Sequence, residues 1–161
     1  MPISKILSGS LDSGKVLQVK QTLITTGAPI TSTTHVDSVL TVNITPSSTT
    51  SKIMVNVNGY YGIHFWHASP YWRLRRDTTV ISSNDSVAFP RVQYDSTRDA
   101  NTNCPLVMNI LDSPSSTSAL TYQIYLYTRS GTYYVNRSGN DGDNDDHART
   151  ISTITAMEIA G

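Results

Sequence analysis

The stretch LTYQIYLYTRSGTYYV, residues 120–135, contains the most regular pattern of the chain. Large apolar or aromatic side chains occupy every even position from 120 to 126, and the odd positions between them carry threonine, glutamine and tyrosine. A period of two is typical of a β-strand with one face towards a core. Ser130 and Gly131 then indicate a turn, so we expect residues 132–137 to return antiparallel beside the first strand.

Runs of the same kind recur along the chain, separated by stretches rich in glycine, proline, serine and threonine. They predict further strands at residues 16–24, 35–45, 52–61, 71–81, 104–111 and 150–160. In the first of these, Leu17, Val19 and Leu23 share one face. Strong helix formers are scarce, since glutamate occurs only at Glu158 and lysine stops at Lys52. The pattern predicts an antiparallel all-β fold, a β-sandwich or jelly roll with no substantial helix.

The length of the chain indicates how many domains it forms, and its charge limits the classes of partner that it can bind. The 161 residues suit one domain, with residues 1–15 as an irregular N-terminal arm and residues 16–161 as the domain. The formal net charge is +0 and only 15% of residues are charged, which argues against binding to nucleic acid or a membrane surface. Such sparse charge protects little against self-association. Without a signal peptide or spanning segment, we expect synthesis and folding in a cytosol.

An acidic loop at residues 140–147 raises the question of a metal site. Asp141, Asp143 and Asp145 alternate there, and hard cations such as calcium bind several carboxylate oxygens. The calcium-loop motif also needs a glycine after its third acid and a glutamate at the twelfth position, which is Ser152 here. We favour a solvated hairpin tip over a cation site or a contact with arginines of a neighbouring subunit, and we expect no cofactor.

Tyrosines on both faces of the strands at residues 120–135 indicate that both faces are covered, by loops or by another subunit. Tyrosine is enriched in interfaces because its ring packs while its hydroxyl finds a partner. We favour the interface, with five residues as its candidates: Tyr122, Tyr125, Tyr127, Tyr133 and Tyr134.

No local motif indicates catalysis. A nucleophile elbow, a phosphate-binding glycine loop and a Cys-x-x-Cys pair are all missing, and Cys104 is the single cysteine. His64 and His67 lie three apart, so on a strand they would face opposite sides rather than one metal. The basic run at residues 73–76 fits acidic neighbours better than nucleic acid.

Several segments together resemble a family of small virion proteins of tailed bacteriophages, found in marine and cyanobacterial phages and commonly labelled structural or tail-fibre proteins. These segments are GKVLQVKQT (14–22), HVDSVLTVNITPSSTTSKIMVNV (35–57), LDSPSSTSALTYQIYLYTRSGTYYVNRSGNDGD (111–143) and ARTISTITAMEIAG (148–161). The resemblance covers nearly all of the chain from Val16 onward and is weakest over residues 62–103. It implies a jelly-roll sandwich similar to complement and tumour-necrosis-factor-like heads, which usually form homotrimers. It implies no catalytic residues.

We therefore expect a non-enzymatic structural protein of the virion, assembled in the host cytoplasm. It would be a homotrimeric capsid decoration or cement protein, or a small tail or fibre-head component, in contact with major capsid or tail proteins. The short arm argues against a long fibre. One alternative is a receptor-binding module that uses the loops at residues 62–72 and 82–103 to bind host glycans. A glycan hydrolase is the remote alternative.

Overall fold

The computed structural model describes residues 13–63, 70–82, 103–140, 142, 144–145 and 147–161. These residues form ten β-strands and no helix. The strands are β1 (Val16–Ile24), β2 (Ala28–Ile30), β3 (Val36–Ile44), β4 (Lys52–Ile63), β5 (Pro70–Arg76), β6 (Thr79–Val80), β7 (Asn103–Asp112), β8 (Leu120–Thr128), β9 (Tyr133–Val135) and β10 (Ser152–Ile159). None of the described residues builds a helix long and apolar enough to cross a bilayer.

The first sheet contains six strands in four side-by-side positions, which we call lines. Two of these lines each consist of two shorter strands placed end to end. The strand order is β1, β10, β4, β9 and β2, and β7 pairs with the opposite edge of β4. Along one edge of β4, Asn58 pairs with Thr153 of β10 and Tyr61 pairs with Val135 of β9. β9 and β10 are therefore consecutive parts of one line. β1 and β2 form the neighbouring line in the same way.

The second sheet has the order β3, β8, β5 and β6, and every strand pair in both sheets is antiparallel. The inward side chains of the two sheets belong to one hydrophobic cluster, so the arrangement is that of a β-sandwich. The largest apolar and aromatic side chains of that core are Trp72, Tyr122, Tyr133, Leu40, Ile53, Leu74, Leu106, Ile124, Leu126 and Ile154.

Asn136 connects the two interrupted lines of the first sheet, β1 with β2 and β9 with β10, at the place where each is interrupted. It is buried and has a left-handed backbone, with φ of 59°, a conformation that asparagine tolerates better than most residues. Its side-chain amide donates hydrogen bonds to the carbonyl oxygens of Ile24 at 3.0 Å and Thr26 at 3.3 Å. The Thr150 amide donates to the Asn136 carbonyl at 3.1 Å. The acidic loop therefore connects β9 to β10, the two strands that lie end to end in one line.

The predicted strands at residues 16–24, 35–45, 52–61, 104–111, 120–127 and 150–160 are confirmed to within a few residues. The predicted pairing of residues 132–137 with β8 is wrong. β9 lies in the first sheet, because β8 is already hydrogen-bonded to β3 on one edge and to β5 on the other. The chain after Thr128 must therefore cross to the opposite layer.

Two smaller differences concern turns. The expected strand at residues 71–81 is a hairpin, with Asp77 in a left-handed conformation, φ of 50°, between β5 and β6. The short strand β2 was not predicted, because its proline and the preceding glycine indicate a loop. Most of the predicted arm, both histidines of residues 64–67 and most of the loop at residues 82–103 lie outside the described residues.

Candidate functional site

The outer side of the first sheet presents apolar side chains to solvent, and we call it the apolar face. Its members come from four adjacent strand lines and are Val19, Leu23, Met54, Val107, Leu111 and Met157. Val19 is 54% exposed, Leu23 55%, Val107 51% and Leu111 49%. Exposed apolar groups that are contiguous mark an interaction surface, whereas scattered ones need no explanation.

Strand register makes four of these side chains contiguous. Val19, Met157, Met54 and Leu111 are paired across β1, β10, β4 and β7, so they form one apolar row. A second row, four residues further along, has Leu23 and Val107 at its two ends and the polar Thr153 and Asn58 between them. A polar row lies between them, in which the Gln21 amide donates to the Thr155 hydroxyl at 2.8 Å.

The apolar face is also almost free of charge. Among the outward positions of β1, β10, β4 and β7, only Lys52 at one margin is charged. The prediction that Val19 and Leu23 share a face agrees with their position in β1, but that face is turned to solvent, and Leu17 of the same predicted group lies at a register shift between Val16 and Gln18. The inward positions of β1 include Gln18 and Lys20 instead. Alternation shows which residues lie together without showing which side faces the core.

A buried carboxylate lies directly beneath the apolar face. Glu158 is in β10 and is fully buried, while its neighbour Met157 points outward. Oε1 accepts hydrogen bonds from the Ser47 amide at 2.7 Å, the Ser47 hydroxyl at 2.6 Å and the Ser51 hydroxyl at 2.7 Å. Oε2 accepts one from the Gln18 amide at 2.6 Å. Glu158 therefore joins edge strand β1 and the turn before β4 to the centre of the sheet.

These bonds decide the ionisation of Glu158. Burial by itself would raise the pKa, but the hydrogen bonds from Ser47, Gln18 and Ser51 stabilise the anion and lower the pKa to about 2. The group is consequently ionised at neutral pH, held by hydrogen bonds from the neutral groups of Ser47, Ser51 and Gln18. The sequence analysis does not predict this buried carboxylate. The feature that could have indicated it is the single glutamate of a serine-rich chain, at an inward position of a strand.

The outer side of the second sheet has a different character, and we call it the tyrosine–arginine face. It carries His35, Tyr71, Arg73, Arg75, Tyr125 and Tyr127, all half-buried. The rings of Tyr71 and Tyr127 stack with centroids 4.3 Å apart and planes inclined by 17°. On the β3 side, the His35 ring lies 4.3 Å from that of Tyr127. Three rings thus lie side by side, from β5 and β8 and from the residue immediately before β3.

Arg75 is the most constrained cation on this face. Its guanidinium carbon lies 3.7 Å from the centre of the Tyr125 ring, a cation–π geometry. It forms an ion pair of 2.6 Å with Asp37 and donates to the side-chain oxygen Oε1 of Gln123 and to the Tyr125 hydroxyl. Arg73 lies opposite Tyr125 in the register, and Arg129 follows β8 immediately. The predicted basic run is therefore divided between this face and the interior.

Arg76, the residue of the basic run that points into the interior, joins the two sheets. Arg76 in β5 donates two hydrogen bonds to Asp112 in β7, at 2.8 and 2.7 Å. The Tyr122 hydroxyl donates to the same carboxylate at 2.6 Å. Burial and the adjacent Asp112 raise the pKa of Tyr122, so the phenol stays protonated. Burial opposes the charge of Arg76, but Asp112 outweighs that effect and raises its pKa.

The five predicted interface tyrosines are distributed over three environments. Tyr122 and Tyr133 are fully buried within the chain, so the expectation that they contact another subunit is wrong. Both fill the core, where Tyr133 packs edge-to-face on Tyr61. Tyr125 and Tyr127 lie on the tyrosine–arginine face. Tyr134 is half-buried on the outer side of the first sheet, beside the apolar face.

For the predicted metal ligands, the structure describes Asp145, which is exposed, whereas Asp141 and Asp143 lie outside the described residues. No group of three or more histidine, cysteine, aspartate or glutamate side chains in the described ranges is arranged to hold a metal ion. The chain matches no protein-family model and no curated protein. Its two outer faces are therefore the basis for inferring function.

Proposed function

We propose that the protein is a structural component of a tailed-bacteriophage virion that assembles as a homotrimer through the apolar face. It would be a capsid decoration or cement protein, or a small tail or fibre-head component, bound to major capsid or tail proteins and without catalytic activity. The observation that carries this proposal is the nearly uncharged apolar face, in which Val19, Met157, Met54 and Leu111 form a continuous apolar row across four strands. The resemblance of the sequence to phage virion proteins supplies the biological setting.

The absence of charge favours a second copy of the chain as the occupant of the apolar face. A symmetric oligomer repeats the same surface around its axis, so charged groups near that axis approach their own copies. Valine, leucine and methionine side chains incur no such repulsion. Burying one Val or Leu side chain that is now exposed favours association by about 1–2 kcal/mol, and four are about half exposed here.

The strand order also supports the proposal, because it fits a jelly roll. With the interrupted lines counted once, eight strands divide into two sheets of four: β1, β10, β4, β7 and β3, β8, β5, β6. Chain connections from β3 to β4, β4 to β5, β7 to β8 and β8 to β9 each pass from one sheet to the other. Two such sheets with crossing connections are the arrangement of jelly rolls.

Light scattering on the purified chain tests the assembly. We expect a mass three times the 17.6 kDa of one chain at micromolar concentration. A stable monomer would overturn the proposed trimer, and a mass of two chains would replace the threefold arrangement with a twofold one.

Gold labelling of this protein on intact phage particles tests the biological setting independently. Labels distributed over the capsid indicate a decoration protein, and labels at one vertex or along the tail indicate a tail component. Particles that lack the protein altogether would overturn the virion assignment.

A further inference from the structure

The polar row of the apolar face consists of Gln21, Thr155, Asn56 and Asn109, which are paired in this order across β1, β10, β4 and β7. It lies two residues along each strand from the continuous apolar row, a distance of about 7 Å. Thr155 and Asn56, its central members, are half-buried, and the two outer members are exposed. The row therefore places four uncharged hydrogen-bonding side chains directly beside an apolar surface.

Much of the hydrogen-bonding capacity of the polar row is not used within the chain. The Gln21 amide donates to the Thr155 hydroxyl at 2.8 Å. Within the residues that the structure describes, no hydrogen bond engages the side-chain amides of Asn56 and Asn109. A side-chain amide has two N–H donors and an acceptor oxygen. A molecule that covers the apolar face must provide partners for these groups, because a buried polar group without a hydrogen bond is unfavourable.

The chemistry of the polar row favours a second copy of this chain as that molecule. Amides and hydroxyls both donate and accept hydrogen bonds, so they can bond to the same groups of a neighbouring copy. An ionised carboxylate only accepts and a guanidinium only donates, so neither could do so. The outward positions of the four strands also carry no charge except Lys52 at one margin. The face is thus compatible with its own copy in hydrogen bonding as well as in charge.

The polar row also makes one alignment of two such faces more favourable than the others. A shift of one copy by a single row would place the polar row against the continuous apolar row and leave its amides without partners. A single buried asparagine fixes the register and the number of chains in coiled coils for the same reason. A uniformly apolar face would be buried to a similar extent in many alignments.

We propose that the polar row sets the alignment and the number of copies when the apolar face associates with itself, through hydrogen bonds of Asn56 and Thr155 to polar groups of a neighbouring copy. This inference rests on the proposed self-association and adds the residues that select one arrangement. The apolar row supplies the affinity, and the polar row supplies the selectivity.

Native mass spectrometry of the full chain over a dilution series tests this inference. The double variant Asn56→Leu/Thr155→Val replaces the two central groups with apolar side chains of similar size. The matched control is Asn43→Leu/Thr121→Val, because Asn43 and Thr121 are also paired across adjacent strands, on the outer side of the second sheet, and are bonded at 2.8 Å. Thermal unfolding checks that each variant is folded, and Asn56→Leu alone is a milder second variant.

We expect one mass, that of three chains, for the native chain and for the control, and a mixture of masses for Asn56→Leu/Thr155→Val. The midpoint concentration of association should change by less than about threefold, since replacing both partners of a hydrogen bond with apolar groups is nearly neutral. One mass in the variant, or mixtures in both double variants, would overturn the inference and leave the trimer in place. A monomeric native chain would overturn the proposed self-association together with this inference.

Discussion

The two outer faces of this sandwich are made from the same kind of strand and differ in almost every chemical respect. The apolar face has no charge except Lys52 at its margin. Its half-exposed valines and leucines would be buried most favourably against another apolar surface. The tyrosine–arginine face carries ionised and hydrogen-bonding side chains that are held by internal contacts. A surface without charge can meet its own copy, whereas a charged one requires a complement. This difference is the reason why we propose self-association for the apolar face and not for the other one.

The largest expected effect comes from placing a charge on the apolar face. Val19→Asp would bury an unpaired carboxylate against apolar neighbours, and we expect association to weaken roughly 100-fold, about 3 kcal/mol. Sedimentation velocity over a dilution series measures this. Val39→Asp is the matched control, because Val39 is 50% exposed in β3 of the other sheet and Val19 is 54% exposed. Equal effects of the two substitutions would break the contrast between the faces.

The next largest effect concerns the bridge between the two sheets in the interior, which Asp112 forms with Arg76 and Tyr122. Asp112→Asn removes the anion that accepts hydrogen bonds from Arg76 and Tyr122 and leaves a partly buried guanidinium unpaired. We expect the free energy of unfolding to fall by about 2 kcal/mol, less than for a fully buried pair because Arg76 retains some exposure. Urea denaturation measures it, with the exposed Asp145→Asn as control. A loss in both variants alike would contradict the inter-sheet bridge.

A smaller effect concerns pH and the support of the apolar face. Because the folded pKa of Glu158, about 2, lies below its ordinary value of 4.5, its contribution to stability is present above pH 4.5 and is lost as pH falls towards 2. We expect a loss of about 1–2 kcal/mol, allowing for solvent screening near an edge strand.

Thermal unfolding of the native chain and of Glu158→Gln from pH 6 to pH 2.5 isolates that contribution from other carboxylates. The native chain should be the more stable at pH 6, and the gap between the two should narrow as pH falls. A gap that is constant with pH would show that the carboxylate charge of Glu158 does not stabilise the fold.

The smallest effect lies on the tyrosine–arginine face. Asp37→Asn removes the exposed acid paired with Arg75, and exposed ion pairs contribute little, so we expect less than 1 kcal/mol of destabilisation. Arg75 keeps its hydrogen bonds to Gln123 and Tyr125 in this variant. Urea denaturation measures the change, with the exposed Asp145→Asn at a remote loop as the matched control. A loss of about 2 kcal/mol or more in Asp37→Asn alone would contradict the view that this exposed ion pair contributes little.

The strands were predictable because their alternation is regular and turn residues separate them. Residues 16–24 form β1 with the predicted limits, and the inward positions of β4 and β8 follow from period two. Pairing was less accessible to sequence reasoning. The turn at Ser130 and Gly131 predicts a local hairpin, yet β9 joins strands distant in the chain, because β8 has no free edge.

The faces could be predicted only in part. Alternation correctly places Val19 and Leu23 of β1 on one face, whereas Leu17 lies at a register shift. An edge strand can turn either side to the core, and here Gln18 turns inward to bond Glu158. The tyrosines on both faces of residues 120–135 predict that both faces are covered, and a cover for the outer face stays a prediction. Tyr122 nevertheless belongs to the core, since its hydroxyl is bonded to Asp112 from the opposite sheet, a partner that local patterns do not reveal.

Site-resolved oxidation of methionine by peroxide, read by peptide mass spectrometry, tests the central claim most directly. Met54 and Met157 lie half-buried on the apolar face, and Met108 is buried in the core as an internal reference. The sulfur of methionine is oxidised in proportion to its access to solvent. We predict that Met54 and Met157 are protected in the native oligomer and react several-fold faster in Val19→Asp, while Met108 is unchanged. Equal reactivity of Met54 and Met157 in the two proteins would contradict assembly through the apolar face.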